Sequence, residues 1–201
     1  MLFETKEERV QDFFTLAKQN EVEISEEFSR WLKEESFFDA PASTKYHGNY
    51  PGGLYEHSKT VYERLLWLTY NNSLHWQRPQ SPFIIGMFHD LCKYDNYKKV
   101  FGTEIELQPG VKFSDANIAH YEYNTSTLLK GHGTKSIMLL SQFMILTEEE
   151  MLCIRFHMGA YGNETEQKEE WAGFDKASRK TNGLVLYTHL SDQLASKIDN
   201  I

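Results

Sequence analysis

Apolar residues along the chain recur at three and four positions rather than at two, so the pattern predicts helices almost throughout. Thr5 and Glu8 form a capping-box pattern ahead of a helix running to about Asn20. Ser25 opens a second helix, with Phe28, Trp31 and Leu32 on its inner side. Two prolines and three glycines between Phe37 and Gly53 mark a loop. Leu54, His57, Val61, Leu65 and Leu68, spaced 3, 4, 4 and 3, then form the stripe of a helix from about Leu54 to Tyr70. That stripe places His57 on the core face. Ser81 and Pro82 begin a helix that is apolar nearly all round from Phe83 to Cys92, as a buried central helix would be. Residues 94–128 are aromatic, polar and irregular, and are compatible with a short hairpin near Val100–Leu107 or Tyr121–Thr127. A further helix follows Gly133 through Met144. Thr147 and Glu150 cap another that ends at Met158, with Gly159 as its stop. Asn163 to Lys180, rich in Glu and Lys, reads as a solvated loop or lid. The last helix spans about Asn182 to Ile198, with Tyr187, Leu190, Leu194 and Ile198 on its packing face.

The 201 residues, 40% hydrophobic and 25% charged, suffice for one sizeable core and argue against a disordered or fibrous chain. No run of about 18 apolar residues occurs, so a membrane span is not expected. The opening string MLFETKEERVQDFF places charges where an export signal needs apolar residues. With 21 basic against 29 acidic residues the net charge is −8, the opposite of what a duplex nucleic acid binder carries. Cys92 and Cys153, each in an apolar segment, read as reduced core residues of a cytoplasmic protein. The oligomeric state is left open, a homo-oligomer included.

The eight histidines change the picture. His89 and Asp90 lie within FIIGMFHDLCK, and a buried carboxylate needs a cation or a strong hydrogen-bond network. The plain reading of the pair is a satisfied core histidine beside a helix-terminal aspartate. Lys93, one turn on, is either the salt-bridge partner of Asp90 or an ammonium aimed at an anionic substrate. His57 and Asp192, each on the inner side of a different helix, weaken the plain reading, because helical bundles build metal sites from inward ionisable residues on separate helices. Two imidazoles and two carboxylates suit a divalent transition metal, Mn, Fe, Ni or Zn, better than Ca. His132, between two glycines, and His157, at the end of its helix, extend the series. They are either structural or ligands of a second ion bridged by Asp90, and two ions would activate water and neutralise phosphate oxygens. His189 reads as a supporting residue, and His75 and His120 fall outside the site. Tyr94, Tyr97 and Tyr121 are core aromatics or a stacking platform for a base. Lys98, Lys99 and Lys130 read as solvated charges, and the acidic 164–170 run as a solvated loop.

The ordered series His57, His89-Asp90 and Asp192 on a helical chain resembles the HD-domain metal-dependent phosphohydrolase family. The likeness runs through NYPGGLYEHSKTV, HDLCKYD, GHG and LSDQLASKID and covers roughly residues 46–198. The resemblance implies an all-α fold: a helical HD-domain bundle over residues 46–201, with residues 1–45 as an N-terminal helical extension. It implies His57, His89, Asp90 and Asp192 as ligands of one metal ion, and His132 and His157 as ligands of a second. Mg is a further candidate for the ion. It also implies a Lys93 contact to the scissile phosphate, with His47 matching a frequent histidine beside the substrate. Asp90 and Lys93 would then be the catalytic pair. Cys92 and Met158 depart from the family pattern, where Gly and a second consecutive His are common. The reaction expected is hydrolysis of a phosphoester, on a small phosphorylated substrate such as a nucleotide, by a metal-activated water. PGGLYEH also resembles a string in the HD domains of certain 3′→5′ exoribonucleases, so a nucleic-acid phosphodiesterase is the first alternative. A non-catalytic metal-binding sensor or scaffold is the second.

Overall fold

The computed structural model describes residues 3–108, 111–129, 131–160 and 164–201. Its described residues form eight α-helices and one two-stranded sheet, so the chain is mostly helical. Helix α1 spans Lys6–Gln19 and α2 Glu26–Glu34; the Thr5–Glu8 capping box and the Ser25 cap both form. A 3₁₀ turn, Ser36–Phe38, and a loop lead into α3, Gly53–Asn71, whose Leu54, His57, Val61, Leu65 and Leu68 are all buried. Helix α4, Ser81–Phe88, is buried on every side, and a 3₁₀ turn, Leu91–Tyr94, follows it. After the sheet come α5 (Gly133–Leu140), α6 (Glu148–Phe156, opened by the Thr147–Glu150 capping box), α7 (Glu164–Lys180) and α8 (Leu184–Gln193). A π-helical turn, Leu194–Asp199, continues α8.

The core is aromatic, and residues 1–45 contribute to it. Phe13 of α1 meets the rings of Phe37, Phe38, Tyr55, Phe83 and Phe88 at centroid distances of 5.7 to 6.5 Å. Phe28 of α2 stacks on Phe143 at 4.6 Å. Helix α4 runs against α3 where Gly86 meets Tyr62: a Cβ at Gly86 would stand 2.4 Å from Tyr62 Cα, so only glycine allows this crossing.

The chain is broadly helical, as expected, with one small sheet in which β1 (Tyr97–Gln108) and β2 (Val111–Tyr123) pair antiparallel, Tyr97 opposite Tyr123 and Lys99 opposite Tyr121. Three expectations are corrected. The hairpin is longer than either short one anticipated. Its strands pack chiefly on each other, so neither needs the period-two stripe that would have announced it. The 164–180 segment is a helix rather than a loop or lid. Phe174, Ala177 and the following Thr181 are buried at spacings of 3 and 4, a stripe too narrow to stand out among Glu and Lys, which are themselves good helix formers. The packing face of α8 is Leu184, Val185, Thr188, Ser191, Asp192 and Ala195, whereas Leu190 and Ile198 are exposed. Beyond Leu184 and Val185 that face is small or polar, so hydrophobicity alone points to a different stripe. Lys130 and Asn163 lie outside the described residues. No described helix is long and apolar enough to cross a membrane.

Because Phe13 ties the N-terminal helix into the core, Phe13→Ala should destabilise the whole protein by about 3–5 kcal/mol. Urea unfolding followed by circular dichroism and by tryptophan fluorescence checks this, and the two probes should give one coincident transition.

Candidate metal centre

The ends of α4 and α6, the first turn of α5, and the buried faces of α3 and α8 converge on Asp90, which is 1% exposed. Helix α4 stops at His89, and Asp90 adopts φ −107°, ψ 19° before the 3₁₀ turn begins. Consecutive residues on an α-helix point about 100° apart. Leaving the helix here turns His89 and Asp90 toward one centre, with His89 Nε2 3.4 Å from Asp90 Oδ2. His57 Nε2 is 3.6 Å from the same oxygen. The other oxygen, Oδ1, faces His132 Nε2 at 2.6 Å and His157 Nε2 at 3.3 Å. Asp192 of α8 joins through His57, its Oδ1 3.2 Å from Nε2. The donor atoms of His57, His89 and Asp90 lie within 4.8 Å of one another, and so do those of Asp90, His132 and His157. Asp90 is common to both groups.

Hydrogen bonds on the far side of each ring fix the direction of the donors. His89 Nδ1 donates to the Gly86 carbonyl at 2.8 Å, and His157 Nδ1 to the Ile154 carbonyl at 2.7 Å. Each satisfies a helix-terminal carbonyl three residues back that the helix leaves without a partner. His57 Nδ1 donates to the main-chain oxygen of Ile201 at 2.9 Å. A main-chain oxygen only accepts, so each Nδ1 carries a proton and each Nε2 is turned inward. All three Nε2 atoms are buried and, among the described residues, without a hydrogen-bond partner. Ligands about 2.1 Å from one ion at tetrahedral to octahedral angles stand roughly 3.0–3.4 Å apart, close to the spacings seen here. His57, His89, Asp90, His132 and His157 can therefore hold a metal ion.

Electrostatics reinforce this. Burial works to raise the Asp90 carboxyl, but Lys93, His89 and His132 outweigh it and hold it well below the usual carboxylate range. Asp192 is likewise held low against its burial, chiefly by His57. Lys93 is buried with Nζ 2.7 Å from Asp90 Oδ2, and that carboxylate raises the ammonium above its ordinary value despite the burial. His47, its ring 4.9 Å from that of His57, is lowered to about 4 by burial and by His57 and Lys93.

The remaining histidines and aromatics fall outside this group of donors. His189 Nδ1 donates to the His157 main-chain oxygen at 2.6 Å, a supporting contact. His75 is exposed, and His120 lies 3.1 Å from Glu122 on the hairpin. Tyr94 packs on Trp31 and Tyr97 on Tyr123; Tyr121 is half-buried, and Lys98 and Lys99 are exposed. Two supports were missed from sequence. The Ser136 hydroxyl accepts from Cys92 N–H at 3.0 Å, and buried Lys135 bonds Asp95 and Asn96. Both residues follow the GHG string by one turn, the signal that could have found them.

His132, about one-third exposed, is the open edge of the centre. Its place is fixed by Gly133, where a Cβ would lie 2.3 Å from the Ile154 carbonyl, so α5 begins pressed against the end of α6. Two cavities of about 340 Å³ flank His132. One is lined by Asn96, Tyr123, Asn124 and Thr127, the other by Thr134, Arg155, Met158 and Glu170. A cavity of about 740 Å³ lies instead along α3 beside Glu56, Lys59, Arg64 and Trp67, and Asp90 is not among the residues lining it.

His47 supplies a pH test on metal-free protein. Its folded value is depressed below the ordinary 6.5, so the unfolded chain binds the proton first and stability falls as pH drops from 6.5 toward 4. His47→Gln should flatten stability across the upper part of that window, measured by urea midpoints at successive pH values. Comparison with family models, curated proteins and solved structures returns no match.

Proposed function

We propose that the chain is a metal-dependent phosphohydrolase built on a helical HD-domain bundle, acting on a small phosphorylated substrate such as a nucleotide. The observation that carries this reading is the set of three buried, unpartnered Nε2 atoms turned toward one bridging carboxylate, Asp90. His57, His89, Asp90 and Asp192 would hold one divalent ion. Asp90, His132 and His157 would hold a second. Such ions supply Lewis-acid stabilisation of phosphoryl oxygens and activation of water. Lys93 shares Asp90 Oδ2 with the first group, so its ammonium is the protein cation nearest a phosphoryl group presented there. His47, neutral near pH 7, borders that group without adding charge. The cavities beside His132 are at the small end of ligand sites, and their amides, hydroxyls and the exposed Tyr123 suit a compact polar substrate rather than a long polymer.

Protein purified without chelator or nickel affinity should contain near-stoichiometric divalent transition metal by elemental analysis, and Asp90→Ala should lose it. Metal-loaded protein should release inorganic phosphate from at least one member of a panel of phosphomonoesters and nucleotides, and chelation should abolish this. Metal content without turnover on any member would leave the sensor reading.

Lys93→Met should retain metal and lower turnover by roughly a hundred- to a thousandfold, the scale of one oxyanion-type contact. Loss of metal and of thermal stability together would instead make Lys93 the counter-charge of Asp90.

A further inference from the structure

Among the three inward histidines, His57 alone is oriented from outside its own element. His89 and His157 are held by carbonyls three residues back, whereas the Nδ1 of His57 is held by Ile201, 144 residues away. The segment that delivers Ile201 has an unusual path. From Asp192 to Asp199 it runs in the same sense as α3 from His57 to Arg64: Asp192 meets His57, and seven residues on Asp199 meets Arg64. Continued as a helix it would carry residue 201 past Arg64, roughly 13 Å beyond Asp192 at 1.5 Å per residue. Instead it widens into a π-helical turn over Leu194–Asp199, and Asn200 adopts φ +59°. Asn is one of the few side chains that tolerate this region. Ile201 N–H then bonds the Ala195 carbonyl at 3.2 Å, and its main-chain oxygen returns to His57. The reversal is pinned at its far end by Arg64, which grips Asp199 with two nitrogens, Nε to Oδ2 at 2.7 Å and Nη2 to Oδ1.

We propose that the Arg64–Asp199 pair is a latch that positions His57, setting its tautomer through Ile201 and thereby the metal affinity of the group containing His57, His89 and Asp90. Arg64 and Asp199 are positioning residues. The affinity arm rests on the metal-binding reading above, and the tautomer arm does not. Hydrogen-bond partners behind a metal-binding histidine typically contribute roughly 10- to 100-fold in affinity.

The test uses the whole chain. In metal-free wild-type protein, ¹⁵N NMR of the imidazoles should show His57 protonated at Nδ1, with His89 and His157 as internal references held within their own helices. In Asp199→Ala, His57 should become a mixture of tautomers while His89 and His157 keep theirs, which also reports that the variant is folded. Titration with Mn²⁺ and with Zn²⁺ should show affinity at the His57-containing site weakened roughly 10- to 100-fold in Asp199→Ala. The charge-swapped double variant Arg64→Asp, Asp199→Arg should restore much of both signals. An Nε2-protonated His57 in the wild type, or an Asp199→Ala variant with unaltered tautomer and affinity, overturns the latch. Wild-type protein that binds neither ion overturns the proposed function, and the tautomer arm still decides the latch.

Discussion

A carboxylate buried to 1% exposure is the constraint around which this molecule is arranged. An isolated charge of that kind is too costly to keep, so the fold must bring opposite charge and hydrogen-bond donors to Asp90. Lys93 from the turn after α4 and His132 from the start of α5 bond it directly, and the Nε2 atoms of His89 from the end of α4, His57 from the second turn of α3 and His157 from the end of α6 stand 3.3 to 3.6 Å away. Those contacts divide between the two oxygens, which makes one side chain the bridge between two groups of donors. Most of the contributors sit at helix ends. Carbonyls left without partners in the helix are available there to orient imidazoles, and the backbone can leave helical geometry to turn neighbouring residues inward.

Much of this centre was legible because buried ionisable residues contradict the apolar pattern around them. His89-Asp90 interrupts a string that is otherwise apolar, and His57 occupies a core position of a regular stripe, so both stand out without any structure. The capping boxes at Thr5 and Thr147 were equally readable, since each is a local exchange of hydrogen bonds within four residues. What escaped has the opposite character. Beyond Leu184 and Val185, the buried face of α8 and its π-helical turn is Thr188, Ser191, Asp192 and Ala195, residues that carry little hydrophobic signal. The hairpin pairs Tyr97 with Tyr123 across a long separation, and its strands pack chiefly on each other. The contact of Ile201 to His57 uses a main-chain oxygen, which no side-chain pattern can announce.

The missed supports explain how the open edge is held while the centre stays buried. Lys135 is buried and binds Asp95 and Asn96, the residues between the 3₁₀ turn and β1. Asn124 closes the base of the hairpin through its N–H to the Asn96 carbonyl, 2.8 Å, and its side-chain amide to the Asp95 carbonyl, 2.9 Å. The first turn of α5 therefore fixes His132 on one side and the foot of the hairpin on the other. The cavity lined by Asn96, Tyr123 and Asn124 follows from that single arrangement.

The origins of the three ring orientations differ in a way that bears on folding. Two come from carbonyls three residues away, so they form with α4 and α6 themselves, at little cost in chain entropy. The third closes a loop of 144 residues and forms only when α8 and its π-helical turn have docked along α3. Until then His57 is free to rotate and to exchange tautomers, and the donor set around Asp90 is incomplete. A ligand that binds only the completed set stabilises the native state by mass action. An ion held by His57, His89 and Asp90 would therefore couple its affinity to the docking of the last helix along α3.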